Sequence, residues 1–170
     1  MKYGFPTASY TYALLDLSGS EEEVLLIGCK DYPINADCIY TYKDDGFEMI
    51  LHSEYFRNSL RFYVDDMGKI VIEEYDNNDN PSKQYFYTID SEHKAVLLCA
   101  FYLYGEYDPE IEMEDCVKRV MLVNGEEVEI TIDEYNEYMH KYGTRGHYDT
   151  WQPRYIELDW KPVVNPVIVE

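Results

Sequence analysis

Positive charge is what this chain has least of. Fourteen lysines and arginines stand against 34 aspartates and glutamates, a formal net charge of −20 over 170 residues. Nucleic-acid affinity comes largely from basic side chains that displace counterions, so DNA and RNA are not expected as partners, nor are anionic lipid headgroups. Long apolar runs are missing too. No stretch approaches the ~18 uninterrupted apolar residues of a membrane span. The opening Met1-Lys2-Tyr3-Gly4-Phe5-Pro6 has no apolar signal-peptide core, so no membrane insertion is expected of the chain as given. A signal or lipid anchor removed upstream of Met1 would leave the same start.

Cysteine is scarce, at four residues (Cys29, Cys38, Cys99, Cys116), without Cys-x-x-Cys spacing or a zinc-type histidine nearby. Three of them sit in apolar or aromatic runs, where a buried free thiol is the expected state, with two disulfides as the alternative in an exported protein. The four histidines (His52, His93, His140, His147) are far apart and form no His-Glu-x-x-His pattern. There is no Gly-x-Ser-x-Gly and no glycine loop for phosphate.

What remains is apolar and aromatic. Hydrophobic residues make up 46% and aromatics 16%, including 19 tyrosines, which is too much apolar material for a disordered acidic tail. One acidic domain over residues 1–170 is expected. Five pairs of β-prone runs surround turn signals, at residues 10–28, 38–51, 60–75, 84–104 and 117–130. In the last pair Asn124-Gly125 separates β-branched runs, the strongest short-range hairpin signal. Asp76-Asn77-Asn78-Asp79-Asn80 reads as a solvated loop, because Pro81 takes the place of the glycine that a calcium loop would need.

One segment predicts a helix, near residues 132–142. Thr131 and Glu134 fit a capping box, Tyr135, Tyr138, Met139 and Tyr142 recur on one face, and Gly143 stands at the end. A last strand is expected from Tyr155 to Trp160, where alternation resumes. The fold class is therefore mainly β (α+β), an antiparallel β-meander of about ten strands with one packed helix.

The first hairpin, Tyr12-Ala13-Leu14-Leu15-Asp16-Leu17-Ser18-Gly19-Ser20-Glu21-Glu22-Glu23-Val24-Leu25-Leu26-Ile27-Gly28, resembles the opening motif of secreted and lipid-anchored Firmicutes (clostridial) proteins of unknown function. The likeness continues in Tyr40 to Gly46 and in Val123 to Tyr142. It implies an extracellular or cell-surface location. In that family the first loop resembles an aspartate-rich calcium loop. The corresponding positions here are Asp16, Ser18 and Ser20, with a single carboxylate left, so the loop is expected to be an ordinary turn, with a Ca²⁺ site as the alternative.

Tyrosines on strands offer broad apolar area with a hydroxyl, which suits a protein or glycan partner. Tyr85, Tyr87, Trp151 and Tyr155 are the ligand-binding candidates. The leading expectation is a non-catalytic extracytoplasmic binding or interaction domain, with no cofactor. The alternative is a hydrolase acting on glycans through carboxylates such as Glu73, Glu74 or Glu54.

Overall fold

A computed structural model describes residues 10–29, 35–43, 46–53, 60–76, 81–105, 117–144 and 152–163. Twelve strands and one helix follow in order: β1 (Tyr10–Leu15), β2 (Val24–Cys29), β3 (Asn35–Ala36), β4 (Cys38–Lys43), β5 (Gly46–His52), β6 (Leu60–Val64), β7 (Ile70–Asp76), β8 (Ser82–Ile89), β9 (Ala95–Gly105), β10 (Val117–Val123), β11 (Glu126–Ile130), α1 (Ile132–Lys141) and β12 (Lys161–Pro162). The fold is mainly β with one packed helix, as expected.

All five hairpins form, each antiparallel. Their turn chemistry explains why. Asn124 and Gly125 both take positive φ, 53° and 84°, which gives a two-residue turn whose twist matches that of the flanking strands. At α1 the Thr131 hydroxyl accepts from the Glu134 amide while the Glu134 carboxylate accepts from the Thr131 amide, so the capping box is complete.

The hairpins divide between two sheets. The first two form a five-stranded sheet in the order β12-β1-β2-β4-β5, and the other three a seven-stranded sheet in the order β11-β10-β9-β8-β7-β6-β3. The short β3, which has no sequence signal, leaves the first sheet to pair with β6 through Asn35–Arg61 and Ala36–Leu60. Ala13, Val24, Leu26 and Ile39 on the inner face of the first sheet share one core with Leu60, Phe62, Ile72 and Ile89 of the second. A second core lies on the other side of the larger sheet, where Met139 and Tyr142 of the helix pack on Val71, Phe86, Cys99 and Phe101. Helix and small sheet thus cover opposite faces of the large one, each burying a face that strand pairing alone would leave wet.

The tail differs from the expected strand at Tyr155–Trp160. Tyr155 makes a single bridge to Tyr63, the Ile156 amide donates to the Phe62 carbonyl, and regular pairing returns only at β12. Ile156, Leu158 and Trp160 still alternate inward onto the first core. Trp160 explains Gly28: a Cβ there would lie 2.7 Å from the indole ring and 2.7 Å from the Asn35 carbonyl, so only glycine admits the ring. Residues 164–170 at the end of the tail and Asn77 to Asn80 of the polar loop lie outside the described residues.

Candidate binding surface

Side chains alternate along each strand of the five-stranded sheet, and its register fixes which of them share a face. Thr11, Ala13, Val24, Leu26, Ile39 and Thr41 point into the core and are buried. Their neighbours point out. Pairing places Leu14 beside Leu25, Leu25 beside Tyr40 and Tyr40 beside Met49 in one row. Tyr12, Ile27 and Cys38 form the next row, and Tyr42 pairs with Phe47 at the hairpin end.

No acidic or basic residue occupies an outward position of this register on β1, β2 or β4, and on β5 the only titratable one is His52. Lys161 of β12 borders the face beside Tyr12, its ammonium 3.9 Å from Asp159. In a chain of net charge −20 this is an uncharged, aromatic island. It is also open: Tyr42 is 63% exposed, Phe47 64%, Tyr10 56%, Met49 49% and Leu14 48%. Monomeric proteins rarely leave contiguous apolar area of this kind in water, whereas single exposed apolar side chains are ordinary. Covering a large apolar side chain is worth about 1.5–3 kcal/mol.

The polar atoms on the face are tuned by their neighbours. Burial raises the Cys38 pKa, with Asp37 adding to the shift and the Tyr40 hydroxyl opposing it. The Tyr40 pKa is raised in turn, first by its hydrogen bond with Cys38. Both groups are thus neutral at physiological pH. Cys38 and Cys99 are free thiols; Cys99 is buried as expected, while Cys38 is only half-buried.

The tyrosines nominated from sequence separate into two places. Tyr85 and Tyr87 meet on the side of the large sheet away from the helix, ring centroids 6.3 Å apart and nearly parallel, with Tyr102 edge-on to Tyr85. Glu74, buried and paired with Tyr85 across the strands, accepts from the Tyr87 hydroxyl at 3.5 Å. Burial, followed by a hydrogen bond with Tyr102, raises the Tyr85 pKa. Tyr155 lies elsewhere, its ring 4.9 Å from that of Tyr63 on the helix side. Trp151 is outside the described residues.

The carboxylates nominated for catalysis also part. Glu73 and Glu74 are consecutive on β7 and therefore face opposite sides of the sheet, so they cannot share a substrate as an acid–base pair. Glu54 is outside the described residues. Glu73 is buried and engaged: it accepts from the Tyr63 hydroxyl at 2.7 Å and from the Gln84 amide, and Arg61 lies 3.7 Å away. Tyr135 of the helix donates to Gln84 at 2.9 Å. This chain of bonds ties helix to sheet, which is what a buried carboxylate requires to remain in place.

Asp16, Ser18 and Ser20 do come together in the β1–β2 turn. There Asp16 Oδ1 accepts from the amides of Ser18 and Gly19, and Oδ2 from that of Glu21. Burial acts to raise the Asp16 pKa, but these backbone bonds outweigh it and the net shift is downward. Both oxygens close the turn, in which Gly19 and Glu21 take positive φ. Among the described residues no cluster of three or more His, Cys, Asp or Glu is placed to hold a metal ion. Nor is any helix among them long and apolar enough to cross a membrane.

The outer face went unremarked in the sequence, yet it had a signal. In Tyr12-Ala13-Leu14, Leu25-Leu26-Ile27 and Cys38-Ile39-Tyr40 both alternating sets are apolar, the pattern of a strand covered on both sides. Among the described residues only one side is covered. No family model, no curated protein and no solved structure matches this chain.

Proposed function

We propose that this chain is a non-catalytic interaction domain that binds a protein partner through the outer face of its five-stranded sheet. One observation carries this: an uncharged face of Leu14, Leu25, Tyr40, Tyr42, Phe47 and Met49 on a protein whose net charge is −20. Interface centres are depleted of charge and enriched in tyrosine, phenylalanine and methionine, which is this composition. A glycan suits the face less well. Tyr42 and Phe47 meet edge-on at 69°, so their rings offer no common plane for a sugar, and the neighbouring Leu14 and Leu25 side chains offer no hydrogen bonds. An extracytoplasmic setting is part of the proposal, supported by the resemblance of the first hairpin to secreted and lipid-anchored proteins.

A second reading is favoured by the near-parallel rings of Tyr85 and Tyr87 beside Glu74 and Tyr102, where a sugar could stack and also hydrogen-bond. Hydroxyl-radical footprinting separates the two. The chain is oxidised alone and in an extract of the cells that make it, and each residue is compared. Protection of Tyr42, Phe47 and Met49 supports the protein interface; protection of Tyr85 and Tyr87 alone, lost after glycosidase treatment of the extract, supports the glycan and contradicts the interface.

A further inference from the structure

The end of the outer face that is most exposed is also where its charged border is acidic. Leu14, Leu25, Tyr42, Phe47 and Met49 lie towards the β1–β2 turn, and that turn carries Glu21 and Glu23, both exposed, while Glu22 lies 3.5 Å from His93, which bonds to the inward Thr41. Glu48, paired with the inward Thr41, lies on the other side of the sheet and is not part of this border. Lys43 lies on that other side too, its ammonium 3.3 Å from Glu48 and 3.2 Å from the Glu92 carbonyl, while Lys161, beside Tyr12 on the outer face, is 3.9 Å from Asp159 and away from this end. At the opposite end Asp37 is exposed next to the start of β4. The border thus carries carboxylates at both ends, with Lys161 on the β12 edge between them, around a centre without charge.

We infer that the partner is a protein segment with an apolar centre flanked by lysine or arginine. This deepens, and rests on, the interface proposed above. Opposite charges at an interface rim steer encounter and reject wrong partners, while the apolar centre supplies affinity. A second copy of this chain is disfavoured by the same physics. Two bodies of −20 would bring like borders together, and like charges set against one another oppose association.

The test uses three synthetic peptides that share an alternating Leu-Thr centre and differ only in flanks of Lys, Gln or Glu. Binding to the purified chain is followed by fluorescence anisotropy at low and high salt. The Lys-flanked peptide is expected to bind at least about tenfold more tightly than the Gln-flanked one, with the Glu-flanked peptide weakest, and salt should narrow the gap. The variant E21Q/E23Q, whose side chains are exposed, should narrow it as well. Y42S/F47S should weaken all three, and M49Q should do so independently, with circular dichroism confirming that each variant is folded.

Face-dependent binding that ignores the flanks overturns the basic partner and leaves the interface standing. So does self-association, seen by analytical ultracentrifugation, that Y42S/F47S abolishes. Binding unaffected by Y42S/F47S and M49Q, or no binding to any peptide, overturns the interface together with the inference.

Discussion

Tyr42 and Phe47 face each other across the β4–β5 hairpin with ring centroids 5.3 Å apart, and both stand almost two-thirds exposed. Such a pair in a core would be a stability determinant; here it is held at the surface of a sheet whose opposite side packs on the large sheet. Y42S/F47S is therefore expected to change unfolding free energy by no more than about 0.5 kcal/mol per site, the usual range for surface positions. Phe62→Ala, on a wholly buried ring, should cost about 3–5 kcal/mol. Urea denaturation of both variants checks the contrast.

Glu73 predicts a different sensitivity. Glu73→Ala strips the Tyr63 hydroxyl and the Gln84 amide of their acceptor, and an unpaired buried polar group costs about 1–3 kcal/mol. The Arg61 pair adds little, because its guanidinium is partly exposed. Chemical denaturation of Glu73→Ala against the parent measures the loss.

Asp16 predicts a pH dependence. Its carboxyl titrates below the usual range when folded, because the turn amides favour the ionised form. Its contribution is therefore present above the unfolded pKa of about 4 and fades as pH falls through the lower folded value. Asp16→Asn should be less stable than the parent at pH 7 and converge with it on acidification. Thermal melts across that range read the difference. Addition of Ca²⁺ against chelator on the parent tests the alternative role of Asp16, Ser18 and Ser20, since a bound ion would raise the melting temperature.

The thiols of Cys38 and Cys99 should differ in reactivity. Burial raises both, Cys99 to about 11. Because Cys38 is half-exposed on the outer face and Cys99 is in the helix-side core, an alkylating reagent should modify Cys38 before Cys99. Peptide mass mapping over time gives the order.

Much of the fold was legible because it is locally encoded. Asn124-Gly125 specifies its own turn, and Thr131 with Glu134 specifies where the helix begins, so the hairpins and α1 could be placed from short stretches of chain. The division into two sheets was not, because nothing local says that Ala36 pairs with Leu60 or that Ile39 packs in one core with Ile72. Alternation from Tyr155 to Trp160 read as a strand, yet the same period-two pattern is satisfied by an extended segment that buries Ile156, Leu158 and Trp160 with one bridge to β6. Among the site candidates, Tyr85 and Tyr87 were found together because they lie two apart on one strand. Tyr155 was joined to them only by composition, and tertiary structure puts it across the sheet. The outer face needed both the register of four strands and the knowledge that the described residues leave one side uncovered.

The central claim is that this face meets a partner in the cell, and site-specific photo-cross-linking tests it most directly. A benzophenone side chain is placed at Phe47 and, as a control of similar exposure and apolarity, at Val128 on the edge strand of the other sheet. The chain is then irradiated in the cells that make it. The account predicts a discrete adduct from position 47 that is absent from position 128 and is lost when Tyr42 and Met49 are replaced by polar residues. Equal adducts from both positions, or none from position 47, would contradict it.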